Sequence, residues 1–223
     1  MIIIFIAFSL LLIPVLLIVL NIFYPEARGG IIFSIFAVLI MFERVWETFF
    51  TTKETNKYKY KGDWTMVVTS IMYLVTCLVV IAEFFVTNGI KYFAVSMFGI
   101  SVFILAGVIR YWSVKSLGEH WKIHLVNEDE SEIKYSCVKT GPYSFIRHPI
   151  YLGIIFELIG ISLIANAFYA LFIIIFINTP LYIIRAIYEE KLSFIKFGDE
   201  YLHYKKTVPM IIPFLQFCRR NSN

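Results

Sequence analysis

Apolar runs long enough to cross a bilayer constrain this chain more than any other feature. A spanning helix needs about 20 consecutive apolar residues, since each adds about 1.5 Å of rise against a hydrocarbon core about 30 Å thick. Such runs cover Ile2 to Phe23, Ile31 to Phe50, Trp64 to Val86 and Tyr92 to Trp112. Two shorter ones, Ile150 to Ala165 and Phe168 to Ile184, are separated by Asn166 and Ala167 and read as a helical hairpin. In lipid, only helices and closed barrels satisfy their own backbone hydrogen bonds, and runs of this length select helices. Of the 223 residues, 59% are hydrophobic and 16% charged, whereas soluble domains hold about a half and a quarter. The expected fold is all-α: a polytopic integral membrane protein of about six membrane helices. Residues 1–223 form a single domain, with N-terminal membrane helices in 1–112 and a more polar C-terminal region in 113–223. Pro14 should kink the first span. That span lacks the charged start and small-residue cleavage site of a signal peptide and reads as a retained helix.

Charge sets an expected orientation. The basic segments are 51–63, 113–149 and the tail from 185, while the connections at 24–30, 87–91 and 166–167 are short and nearly uncharged. Six spans place all three basic segments on one side, which lysine and arginine bias identifies as the cytoplasm. Both termini then face the cytoplasm too. A net charge of +4 without a basic, aromatic-interleaved patch argues against a nucleic-acid partner. Cys77, Cys137 and Cys218 are too scattered for a disulfide framework or a cysteine zinc site. Cys218 is also misplaced for a prenylation box.

The densest local signal is Gly141-Pro142-Tyr143-Ser144-Phe145-Ile146-Arg147-His148-Pro149-Ile150-Tyr151-Leu152-Gly153, where the long polar segment re-enters the membrane. Pro149 disfavours a helical residue before it and suits a helix start after it. Arg147 and His148 should therefore sit at the mouth of the fifth span, beside unpaired helix N–H groups that suit anionic ligand groups. Gly141 and Gly153 permit close backbone approach. The second signal, Arg185-Ala186-Ile187-Tyr188-Glu189-Glu190, closes the last span. Arg185 and Glu189 are four apart and share a helical face. Glu190 is turned about 100° away and reads as support. Phe197-Gly198-Asp199-Glu200-Tyr201-Leu202-His203-Tyr204 follows, with Gly198 a natural helix stop.

Together the order LG-x2-W, GPY-x3-RHP-x-YLG, R-x3-EE, FG-x-EY-x2-Y and VP-x3-P, running from about Ser116 to Pro213, resembles the isoprenylcysteine carboxyl methyltransferases. More broadly it resembles the membrane methyltransferases that include phospholipid N-methyltransferases. The resemblance implies S-adenosylmethionine as cofactor, held between the last membrane helices and a cytoplasmic connector, with a C-terminal helix over the pocket. It assigns cofactor contacts to Asn127, to the segment Tyr135, Ser136, Cys137 and Val138, to Tyr143, and to His148, Pro149, Ile150 and Tyr151. Glu189 is implied as the acidic cofactor ligand and Arg185 as the contact to the acceptor carboxylate, so these two carry the catalytic assignment. The implied partners are membrane lipids and a lipophilic methyl acceptor, prenylcysteine-like or lipid. Two other functions fit the residues: N-methylation of a phospholipid amine, whose acceptor must first lose a proton, and a non-catalytic membrane protein on the same scaffold.

Several residues also have plain structural readings. Arg185 and Glu189 alone would be a helix-surface pair, and Arg147 an interfacial anchor that also serves its turn. His120 and His124 lack the further ligands a metal needs, so none is expected. Trp121 reads as interfacial, and Glu43, Arg44 and Glu47 as an interfacial charge cluster. Glu83, near a span end, reads as interfacial, whereas Glu157, two turns into the fifth span, is a candidate border of the acceptor cavity.

Overall fold

A computed structural model of the chain describes residues 2–50, 64–118 and 137–211. Eight α-helices order those residues: α1 (Ile2–Phe23), α2 (Gly30–Phe50), α3 (Trp64–Val86), α4 (Phe93–Leu117), α5 (Pro149–Ala165), α6 (Phe168–Ile173), α7 (Thr179–Phe197) and α8 (Asp199–Thr207). A 3-10 turn, Gly141–Ser144, precedes α5, and a π-helical segment, Ile174–Asn178, joins α6 to α7 without a break. Among the described residues three helices are long and apolar enough to cross a membrane: Trp64–Val86, Phe93–Leu117 and the fused Phe168–Ile195. Three shorter apolar stretches accompany them, Ile13–Phe23, Gly30–Phe42 and Pro149–Ala165. Their outward faces carry exposed Ile22, Ile32, Phe98, Val108 and Phe176, a surface suited to lipid and not to water.

The core is helix on helix. Leu17, Phe33, Phe84, Phe85, Ile161 and Ala165 join α1, α2, α3 and α5 in one cluster, with Phe33 stacked on Phe84 at 4.1 Å. The closest pair is α4 with α5, along most of α5. Small residues make this possible: a Cβ on Gly99 would lie 2.6 Å from the Ile164 backbone nitrogen, and one on Gly160 would lie 2.9 Å from that of Phe103. Without a hydrophobic drive between helices in lipid, such close backbone approach supplies the packing energy. The expected hairpin has its tight turn at Asn166, but α5 leans on α4 more than on the helix that follows it.

Polar residues lock the two ends. Asn166 takes the left-handed conformation at the end of α5 (φ 56°), and its Oδ1 accepts from the backbone N–H groups of Lys91 (3.0 Å) and Tyr92 (2.6 Å). Glu83 accepts from the N–H groups of Tyr169 and Ala170, both at 3.0 Å. It thus caps α6, a partner its sequence position does not disclose. The widened turn before Pro180 is held by Thr179 Oγ1 donating to the Ile174 carbonyl (2.9 Å) and by Asn178 Nδ2 donating to Thr76 Oγ1 (2.7 Å). It absorbs the N–H that proline lacks.

Candidate active site

The two sequence signals meet where the start of α5 faces the middle of α7. Pro149 is the first residue of α5 and His148 its N-cap. Glycines set the approach: Gly141 has φ 61°, and a Cβ there would overlap Ser116 Oγ on α4, just as one on Gly153 would overlap the Arg110 stem. Arg147 and His148 are then stitched to the segment after α8, their N–H groups donating to the carbonyls of Pro209 and Met210, both at 2.9 Å. The N–H groups of 147 and 148 are therefore engaged inside the protein and not offered to a ligand.

On α7, Arg185 and Glu189 share a face as their spacing predicts, and Tyr151 of α5 joins them. The Tyr151 hydroxyl donates to Glu189 Oε2 at 2.7 Å and accepts from Arg185 Nε at 3.0 Å. Arg185 Nη1 donates to Thr65 Oγ1, in the first turn of α3, at 3.1 Å. His148 stacks on Tyr151 with centroids 5.4 Å apart, and its Nδ1 lies 3.6 Å from Glu189 Oε2. Thr65 is a participant that sequence reasoning missed: it lies outside the motif region, in a helix legible there only as a hydrophobic run.

Glu190 faces the other way, into a buried charge cluster. Arg147 Nη2 is 2.6 Å and Lys205 Nζ 2.9 Å from its carboxylate. Arg147 also donates to the Lys205 carbonyl at 3.0 Å and to the Val208 carbonyl. Arg147 is thus a staple between α5, α7 and the end of α8, which refines the interfacial-anchor reading. Glu190 is support, as its helical position suggests, yet it is 3% exposed and the better buried of the acidic pair. The Tyr204 hydroxyl of α8 donates to the Tyr143 carbonyl at 2.6 Å, so the C-terminal helix sits against the turn that carries Tyr143.

The electrostatics follow from this enclosure. Burial opposes the charged form of His148, but Glu189 and Glu190 outweigh it and hold its pKa above the ordinary 6.5. The Tyr143 hydroxyl is pushed up by burial and then by the negative charge of Glu189, so it stays neutral and a donor. His148 Nε2 is buried and faces Glu190 Oε1 at 3.4 Å without a formed hydrogen bond. Glu189 keeps 35% of its side chain exposed, with only one oxygen bonded to Tyr151. A part-exposed carboxylate beside a neutral phenol fits the ammonium end of an amino-acid zwitterion attached to a sulfonium, with the His148 ring held between Glu189 and Glu190.

Tyr143, His148, Tyr151, Arg185 and Glu189 are therefore brought together, with Pro149 and Ile150 starting the helix between them. Cys137 and Val138 run half-buried into the 3-10 turn, and the charged neighbours of Cys137 are Lys139 and Glu200. Asn127, Tyr135, Ser136, His120, Trp121 and His124 lie outside the described residues, as do the side chains of Glu43, Arg44 and Glu47. Glu157 is engaged on both oxygens, by Tyr73 at 2.6 Å and Arg110 at 2.5 Å, and ties α3, α4 and α5 together.

Residues 97–196 match the isoprenylcysteine carboxyl methyltransferase family. That stretch is less than half of the chain. It holds every residue of the Arg185–Tyr151–Glu189 chain and leaves Thr65 outside. The chain is 32% identical over 149 residues to the protein-S-isoprenylcysteine O-methyltransferase of Saccharomyces cerevisiae, which covers 64% of this chain and 60% of that relative. It is 29% identical over 133 residues to the methanethiol S-methyltransferase of Crocosphaera subtropica, 50% of this chain and 49% of the relative. The chain thus spans less than two thirds of either relative. The solved structure of a eukaryotic intramembrane Ras methyltransferase, an isoprenylcysteine carboxyl methyltransferase, superposes with a TM-score of 0.54 at 18% identity, covering 94% of this chain and 85% of that one. At that identity the likeness is one of fold, and with the apolar helices it makes this chain an integral membrane protein.

Proposed function

We propose that this protein is a membrane methyltransferase that uses S-adenosylmethionine to esterify the carboxylate of an isoprenylcysteine-like lipophilic acceptor. The observation that carries the reading is the chain Thr65–Arg185–Tyr151–Glu189. It sets an anion-binding guanidinium and a cation-binding carboxylate on one helical face, joined through a single phenol oxygen. Glu189 would hold the cofactor ammonium, with His148 and Tyr143 at its other polar groups. When bound, the cofactor supplies a methyl group on a positively charged sulfur. An acceptor carboxylate is already ionised near pH 7, so the protein need not remove a proton. Its work is to hold the carboxylate through Arg185, align it, and keep water away. Acceptor tails would enter from the bilayer. The whole chain would act as one unit of six membrane segments, with the site, both termini and the three basic segments on the cytoplasmic side.

Purified protein given methyl-labelled cofactor and a panel of acceptors tests this: a farnesylcysteine analogue, a phosphatidylethanolamine and a small thiol. Label released by mild alkali from the prenylcysteine alone is the expected result. Alkali-stable label in the phospholipid would replace the proposal with amine methylation, and stable label on the thiol with thioether formation. No transfer to any acceptor, with no cofactor binding by folded protein, would sink the enzymatic reading.

A further inference from the structure

The opposite end of the bundle holds a cavity of about 340 Å³ lined by Arg28, Val86, Thr87, Asn88, Ile90 and Lys91. Helix α4, 25 residues long, separates it from the active site by roughly 37 Å. Two cations line it and no carboxylate does. Glu83 caps α6, Glu26 is exposed outside the lining, and no ion pair among the described residues engages Arg28 or Lys91. Both side chains are exposed, but their backbones are fixed. Arg28 N–H donates to the Asn88 carbonyl and Ile90 N–H to the Arg28 carbonyl, both at 3.1 Å. Gly89 (φ 82°) leaves no room for a Cβ against the Arg28 backbone. The N–H of Lys91 is held by Asn166 at 3.0 Å.

The depth of the cavity says what its ligand is. It lies where α3 ends and α4 begins; its lining includes exposed Val86, and the chain on either side of the lining carries exposed Phe23, Ile31, Tyr92 and Phe93, apolar and aromatic residues of the kind that mark headgroup level. In the orientation proposed above, lysine and arginine bias disfavours cations at this end of the bundle, yet the side chains of two stand here with no ion-pair partner among the described residues. We propose that this cavity binds the phosphodiester headgroup of an anionic phospholipid, its phosphate between Arg28 and Lys91, its hydroxyls toward Thr87 and Asn88, and its acyl chains along the exposed apolar helix faces. Cationic pockets between membrane helices serve such headgroups elsewhere, each cation adding to the attraction. Fixed backbones lower the ordering cost of binding. The lipid would clamp the α1–α2 connection to the α3–α4 connection.

Thermal unfolding of detergent-purified protein, titrated with phosphatidylglycerol or phosphatidylcholine in mixed micelles, tests this without reading methyl transfer. Failure here is therefore separate from failure of the active-site reading. Phosphatidylglycerol should raise the midpoint and phosphatidylcholine should not. The double variant Arg28→Gln/Lys91→Gln should need roughly tenfold more phosphatidylglycerol for the same shift. Lys206→Gln, an exposed cation at the other end, should need no more than the wild type. The proposal fails if phosphatidylcholine works equally, if the double variant responds as the wild type does, or if glycerol 3-phosphate or inorganic phosphate alone reproduces the shift.

Discussion

Tyr151 serves both halves of the site through one oxygen, accepting from Arg185 and donating to Glu189. Tyr151→Phe removes both bonds and keeps the ring that stacks on His148. Each lost bond to a charged group is worth about 1.5–3 kcal/mol. Cofactor affinity by calorimetry and acceptor KM by steady-state assay should therefore both weaken, by roughly tenfold or more. Glu189→Gln should weaken the cofactor and leave acceptor KM closer to wild type. Equal losses in both variants would show that Tyr151 does not bridge the two. His148 yields a pH prediction. Its folded pKa is raised by Glu189 and Glu190 against burial, with Arg147 and Tyr151 also packed nearby. The stabilisation is complete below about 6.5, the unfolded value, and is lost as pH climbs through the raised folded value. In detergent, the wild-type midpoint should fall over that window more steeply than that of His148→Asn. Parallel curves would mean that His148 does not titrate there.

At the scale of elements, the site is positioned by how closely α5 lies on α4. Gly99 is in contact with backbone, so a methyl group there cannot be accommodated by a rotamer change. Gly99→Ala should cost about 1–3 kcal/mol through overpacking, seen as a lower midpoint in thermal or denaturant unfolding. Gly107, on the same helix, has nothing within 4 Å of a Cβ, so Gly107→Ala should be neutral or slightly stabilising. The helix starts were legible to within a residue from apolar length and from Pro149, but α4 runs on from Trp112 to Leu117 and α7 from Ile184 to Phe197, because a helix continues into polar sequence once it leaves the apolar run. The α4–α5 seam was not legible, because small residues read as nothing in a periodicity argument and gain meaning only from the surface opposite.

At the scale of the molecule, α4 and α5 pack antiparallel, with Gly99 against Ile164 and Gly153 against Arg110. Lys91 lies at one end of α4 and the motif at the other. Single cysteines at positions 91 and 206, in a chain freed of its own cysteines, should react with an impermeant maleimide from opposite sides of sealed vesicles. Position 206 should be on the cytoplasmic side. Labelling from one side only would overturn the six-span arrangement.

Sequence alone determined that this is a helical membrane protein, that Arg185 and Glu189 share a face, and that Glu190 turns away. Each follows from a local rule: run length against bilayer thickness, proline chemistry, and 3.6 residues per turn. Tertiary structure decided the rest. It joined Arg185 to Glu189 through Tyr151, brought Thr65 from 120 residues away, buried Glu190 against Arg147 and Lys205, and engaged Glu157 with Arg110 and Tyr73. These are contacts between elements distant in sequence, set by which helix faces pack, and local spacing carries no information about that.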